Sequence, residues 1–524
     1  MKKQYFIAIL LISVMASCTK VDDLGEAPRL FRPVVKDALE SNGNWVKASW
    51  QPITGSASYT AEISVDSFRT VTARAKVDSS TFIFQNLQWE KLYQVRVRAN
   101  AQDTSRSSKF AELGQIRTAR FPSILNIPTV SEINDNSVKV SWTSSGDAVS
   151  QVKILLASDS SVVATVNLTA ADVTNKFRVV SSLKSTTDYI IFLYSGSTVR
   201  GWANFRTKAS LSGSIIDLRG ISGNVNILRD TVPKIPAGSI VLLKRGERYE
   251  INSAVNLSRT VTFMAGDDLL NPNKPTIFMP QNFNITDGST IDSIVFNDVT
   301  LLGSDYASKY VFNINTTCNI GKIKFENCTA SIFRGVLRSQ SKPVLIGSLE
   351  MNNCVVDSIS NYGIFNIDVA TSKADNIRIT NSTIYRAERI ITSRNNSVSV
   401  LMENCTFNQA PMGNSSSYYV DYSTGSSNNV TNGITINNCI LGIGKNSNGA
   451  FTVRGIRCNA ATVINASNNY RTSDHVSAGN DFPNIITYTK ASTALWQSPS
   501  TGQFKIIDNT FAGRNTSGDP RWRP

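Results

Sequence analysis

Six short stretches in the C-terminal half carry the polar side chains best placed to do chemistry: "YVFNIN" from Tyr310, "GVLRSQ" from Gly335, "GIFNID" from Gly363, "RIITSR" from Arg389, "YVDYST" from Tyr419 and "AFTVRG" from Ala450. The third and fifth residues of each are mainly apolar and are expected inward, so the alternates face out. They make two columns. One is Asn313, Arg338, Asn366, Thr392, Asp421 and Thr452, and beside it run Asn315, Gln340, Asp368, Arg394, Ser423 and Arg454. Stacked at roughly 4.8 Å per strand, the columns form a polar wall some 25 Å long, enough for several sugar units. Arg338 and Arg394 flank Asn366 and Asp368 at about 10 Å, the length of two sugar units if strand spacing holds. Arginine forks suit carboxylates, and a net charge of +14 favours an acidic partner. The plainer alternative is a solvated face held by cross-strand pairs such as Asp368 with Arg394.

Little else in the chain offers reactive groups. The one histidine, His475, excludes multi-histidine metal sites, argues against a Ser-His-Asp triad, and reads as a solvated loop residue. Six cysteines, Cys318, Cys328, Cys354, Cys405, Cys439 and Cys458, lie beyond Cys18 with no CxxC pair. An even count in an exported chain raises the question of disulfides. Four of them, however, share one place in a repeat, which suits small buried apolar residues better.

That repeat positions the wall. "ENCT" occurs at Glu326–Thr329 and again at Glu403–Thr406. It belongs to a longer series, "IVFND", "IKFEN", "LEMNN", "IRITN", "VLMEN", "ITINN" and "INASN", ending at Asp298, Asn327, Asn353, Asn381, Asn404, Asn438 and Asn468. The spacings of 29, 26, 28, 23, 34 and 30 residues are those of one solenoid coil. Asn tolerates the left-handed conformation of a sharp bend, and its amide can bond to the same amide one coil on. The strand's apolar residues and this amide are expected to share one inward face. Cys328, Cys354, Cys405 and Cys439 each follow the ladder residue and would stack with it.

The chain before Ser210 has another texture. "WVKASWQP" around Trp50 matches "SVKVSWTS" around Trp142, and Leu87 and Tyr93 correspond to Leu183 and Tyr189, each pair 96 residues apart. Period-2 runs such as Val95, Val97 and Ala99 imply two β-sandwiches with both tryptophans in their cores. The early-strand tryptophan and the tyrosine that follows a leucine resemble the fibronectin type III module, which implies spacers or docking surfaces.

At the start, "MKKQYFIAILLISVMASC" has two lysines, an apolar run too short to span a bilayer, and small residues before Cys18, the layout of a secretory signal. "VMASC" resembles a lipobox, with Cys18 lipidated. The following "CTKVDDLGE" resembles the acidic export tag of lipoproteins displayed on the outer face of the outer membrane. The expected organisation is a signal peptide at 1–17, a lipidated tether at 18–28, fibronectin-type modules at 29–119 and 120–209, a β-helix at 210–490 and a capping segment at 491–524.

From Ser210, strings of short strands separated by Gly, Asn and Asp resemble right-handed parallel β-helices of the pectate-lyase-like superfamily. The fold class expected is therefore all-β, two immunoglobulin-like fibronectin type III sandwiches followed by a right-handed parallel β-helix. The resemblance implies either a binder of pectin-like acidic polysaccharide or a polysaccharide lyase. The lyase would use Arg338 or Arg394 as base and calcium at Asp368 and Asp421. No Gly-His-Gly motif and no tight Asp cluster are found, so the reading favours a binder with no cofactor. "GDPRWRP" at the end resembles the closing residues of outer-surface lipoproteins of polysaccharide-utilisation systems, with Trp522 expected to cap the last coil. A further possibility is a structural partner of an outer-membrane glycan transporter. Surface export argues against nucleic acid.

Overall fold

Alternating burial along Leu92–Asn100 and Asp188–Ser195 seats every second residue in a core, and each strand becomes the centre of a sandwich. The computed structural model describes residues 29–144, 147–412, 418–422, 428–444 and 452–524. Cys18 and Ser423 lie outside the described residues, as does the side chain of Thr452. The fold is all-β, with 6% helix, and divides into a unit ending at Lys208 and a unit running Ala209–Pro524. Among the described residues no helix is long and apolar enough to cross a membrane.

In the first sandwich, Val46–Trp50 pairs antiparallel with Val35–Glu40 and Thr81–Phe84. The facing sheet runs Ala73–Val77, Ser58–Ser64, Leu92–Asn100, Ala111–Arg117. The second repeats this three-plus-four plan, with Val138–Trp142 central in its smaller sheet and Gln151–Leu156 beside Asp188–Ser195 in the larger. It is the fibronectin type III arrangement. Trp50 and Trp142 are buried in the two cores, as expected. The hydroxyls of Tyr93 and Tyr189 accept the N–H of Gln88 at 3.0 Å and of Lys184 at 2.9 Å, so the tyrosine fastens the loop before its own strand. Each bond satisfies a backbone donor that the core would otherwise strand.

The second unit is a parallel β-solenoid of about nine turns. Ten strands from Ile215–Asp217 to Ile464–Ser467 stack in register into one sheet. Its central inward column reads Phe263, Phe296, Phe325, Met351, Ile379, Met402, Ile436 and Ala466. The rings of Phe296 and Phe325 stack at 5.5 Å with 7° between planes.

All seven ladder residues are left-handed, with φ from 50° at Asn381 to 58° at Asp298. The amide of Asn327 donates to Asp298 at 2.7 Å, Asn353 to Asn327 at 3.2 Å, Asn404 to Asn381 at 3.1 Å and Asn468 to Asn438 at 2.8 Å. The ladder amides do not share the inward face, however. They are half-exposed, because the left-handed residue breaks the alternation and the next residue turns inward instead. That next residue is Val299, Cys328, Cys354, Ser382, Cys405, Cys439 or Asn469, all buried. Three of them accept from the coil before: Cys354 Sγ takes the Cys328 N–H at 3.3 Å, Ser382 Oγ the Cys354 N–H at 3.0 Å, and Asn469 Oδ1 the Cys439 N–H at 2.9 Å. The thiols are free.

The last residues do not cap the end of the solenoid. They return along its flank, where Trp496, Phe504 and Phe511 pack with Ile440 and Tyr470. The tail then lies on the ladder. Gly518 N–H donates to Asn438 O at 2.8 Å, and Asp519 N–H to Thr406 Oγ1 at 2.9 Å. Arg521 reaches Asn353 Oδ1 at 2.6 Å, Trp522 Nε1 donates to Thr383 Oγ1 at 2.7 Å, and Arg523 reaches Asn404 Oδ1 at 2.9 Å. Asn381 donates to Asn352 rather than Asn353, so Arg521 and Arg523 take ladder oxygens that no amide of the next coil uses.

Candidate functional site: the second-strand wall

The wall is built by the strands that follow each ladder bend. Its first column is in the expected register for five coils: Asn313 opposite Arg338, Arg338 opposite Asn366, Asn366 opposite Thr392, and Thr392 opposite Asp421. The sixth member is Arg457, not Thr452. Val453 and Ile456 are both buried, so the two-residue alternation breaks between them. It breaks at Gly455, where a Cβ would stand 1.9 Å from Asn480 O, and the chain there hugs its neighbour. Arg454 consequently sits opposite Tyr418, outside the second column.

Exposure differs from member to member. Asn366 is 0% exposed and Thr392 5%, so neither presents to solvent. Neither polar atom of the Asn366 amide has a hydrogen-bond partner, and Asn313 Oδ1 is likewise buried without one. Asn315 is exposed and accepts from Ser341 Oγ at 3.0 Å, while Gln340 is half-buried. The ion pair of Arg394 with Asp368 is formed, and Arg457 grips Asp421 through two contacts of 2.7 Å. Arg386 pairs in the same way with Asp357 at 2.6 Å.

Asp368 and Asp421 do not fit a calcium site. They stand in different columns, each already neutralised by a guanidinium, and among the described residues no three acidic, His or Cys side chains converge. Arg338 differs from the other predicted base, Arg394. Its guanidinium carbon lies 3.8 Å from the centroid of Tyr362, and no ion pair holds it among the described residues. Arg334 lies over the same ring at 4.8 Å, with its Nε donating to Asn361 Oδ1 at 3.1 Å. Glu388, one coil on, bonds Ser360 Oγ at 3.4 Å, and burial raises its pKa.

Tyr362 and Arg334 were outside the sequence-derived columns. They immediately precede the "GIFNID" and "GVLRSQ" stretches, and the glycine heading each stretch was the available signal. A Cβ on Gly335 would come within 2.9 Å of Tyr362 Cβ and 3.2 Å of the Tyr310 ring. The glycine therefore lets those two rings approach to 5.8 Å across it.

His475 is not solvated. It is buried, its Nδ1 lies 2.9 Å from Gly442 O, and its ring faces Tyr419 at 6.2 Å. Burial lowers its pKa, which keeps it neutral and structural. Across the ladder sheet a shallow groove of about 320 Å³ is lined by Lys324, Glu326, Glu350, Arg378 and Glu403 among others, with the two charge signs interleaved.

Residues 247–387 match the family DUF4957 and residues 400–522 the family DUF5123, both described as domains of unknown function. No curated protein matches the chain. Among solved structures, the FN1–FN3 domains of chicken CNTN1 are similar at 17% identity over 35% of this chain and 69% of that one, with a TM-score of 0.16. A two-domain fibronectin type III segment of chicken tenascin is similar at 18% identity over 34% of this chain and 99% of that one, with a TM-score of 0.22.

Proposed function

We propose that this is a lipid-anchored protein of the outer-membrane surface whose solenoid wall binds an acidic, pectin-like polysaccharide without cleaving it. The two sandwiches act as spacers between the anchor at Cys18 and the wall. The observation that carries the reading is Arg338: a half-buried guanidinium seated on the Tyr362 ring, without a carboxylate, on a wall where Arg386, Arg394 and Arg457 each have one. The ring fixes the guanidinium in place, and a guanidinium with no ion pair offers a sugar carboxylate charged hydrogen bonds. The paired arginines are already matched and contribute little affinity.

The test is affinity electrophoresis of the full chain in gels containing polygalacturonate. Retardation is expected, weakening with added salt as exposed charge contacts are screened. Tyr362→Ala should lower affinity about tenfold, the cost of one aromatic contact of roughly 1.4 kcal/mol. Absence of retardation at any salt concentration overturns the binding reading. Accumulation of unsaturated, ultraviolet-absorbing ends during the same incubation replaces it with the lyase.

A further inference from the structure

At the corner of the wall that precedes the second strands, two arginines come together and neither forms an ion pair among the described residues, while Glu388, one coil on, bonds Ser360. Arg334 and Arg338 project from one coil, and both guanidinium carbons lie within 5 Å of the Tyr362 centroid, at 4.8 and 3.8 Å. The Tyr310 phenol belongs to the coil before; the residue is 2% exposed and its hydroxyl is buried beside Arg338. Burial raises the Tyr310 pKa, and the charges of Arg334 and Arg338, together with a hydrogen bond from Arg338, act against that rise. So the group is preorganised: two guanidiniums, one buried hydroxyl beside Arg338, one ring, and a glycine that makes room for them. Arg386, Arg394 and Arg457 show what such a group lacks, since each of these three is matched to an aspartate of a neighbouring coil.

We propose that Arg334 and Arg338, gathered on Tyr362 above Tyr310, form a subsite for one oxyanion substituent of the bound glycan, so that the ligand is selected by that charge. The inference rests on the reading given under Proposed function and adds the residues that discriminate. Carboxylate and sulfate ester share the chemistry required, an anion with two or more acceptor oxygens. In this arrangement each guanidinium donates to one oxygen, and Tyr310 positions them and donates when the anion draws Arg338 away from the ring. A neutral glycan leaves both guanidiniums without an anion.

Titration calorimetry of the full chain with polygalacturonate, its fully methyl-esterified form and dextran sulfate tests the inference. Polygalacturonate is expected to bind at least tenfold more tightly than the ester, a difference of about 1.4 kcal/mol. Arg334→Ala with Arg338→Ala should erase that preference. Tyr310→Phe should narrow it, and Arg386→Ala, a cation already matched to Asp357, should leave it intact. Equal binding of acid and ester by the parent refutes the subsite while leaving glycan binding standing. Retention of the preference by the double variant also refutes it. Binding of none of the three probes refutes both the subsite and the function proposed above. Preference for dextran sulfate keeps the subsite, identifies its anion as sulfate and removes the uronate from the reading.

Discussion

Arg521→Ala tests whether the C-terminal tail is part of the solenoid's stability or merely lies on it. Asp519 is 1% exposed at its side chain, and Arg521 Nη1 meets its Oδ2 at 2.9 Å. The same oxygen accepts from Thr383 Oγ1 at 2.7 Å, while Arg521 Nη2 donates to Asn353 O at 2.8 Å and to Asn353 Oδ1 at 2.6 Å. The substitution removes the cation beside a buried carboxylate and two donors from the ladder. Breaking a buried pair costs about 3–5 kcal/mol. Because the Arg521 side chain is 28% exposed, part of that is screened, and a loss of roughly 2–4 kcal/mol is expected.

The pH dependence is the sharper part. Burial raises the Asp519 pKa above its unfolded value, and Arg521 opposes the rise. A carboxyl with a raised folded pKa contributes stability that is present below the unfolded value and lost as pH climbs through the folded one. Without Arg521 the folded pKa rises further, so the variant's deficit is full near pH 7 and shrinks as the medium approaches the ordinary aspartate value of about 4. Urea unfolding of the full chain at both pH values, following the solenoid transition, measures it. On an Asp519→Asn background the Arg521→Ala deficit should fall to about 1 kcal/mol, the hydrogen bonds to Asn353 alone. A deficit equal at both pH values, or under about 0.5 kcal/mol throughout, would show that the tail contributes nothing by this route.

Asn381→Ala should destabilise the solenoid by roughly 1–3 kcal/mol, combining left-handed strain with lost ladder bonds. Asn381→Gly, free of the strain, should be milder by calorimetry, and the opposite order would mean that the φ of 50° does not set the preference. The sandwich transition should be unmoved by either. For the thiols, an alkylating reagent should reach Cys458, which is partly exposed, in the native protein. Cys318, Cys328, Cys354, Cys405 and Cys439 should react only on unfolding, since each is at most 2% exposed. Mass mapping that finds Cys354 modified in the native state would contradict the buried column.

Features set by local conformation were readable from residue types alone. The coil length, the left-handed Asn and the small residue after it follow from a bend that few side chains tolerate, and that bend recurs wherever the residues do. The tyrosine of each sandwich was legible for a similar reason, because its bond spans five residues. Strand alternation carried the wall's register from Asn313 to Asp421, and the pairing of Asp368 with Arg394 came with it. It failed at Gly455, where a missing side chain lets the phase slip, and so misplaced Arg454 and Thr452.

What the sequence could not decide was cover. Alternation places Asn366 and Thr392 on the outer side of a strand, yet both are buried, because packing between coils rather than strand phase determines what reaches solvent. His475 was misjudged for the same reason. The tail was illegible as well, since Asp519 meets Thr406 across 113 residues and Arg521 meets Asn353 across 168. No periodicity links such positions; only the stacked coils bring them together. The gathering of Arg334 and Arg338 on Tyr362 depends on the same stacking, because Tyr362 belongs to the coil after theirs, and the solenoid alone made them neighbours.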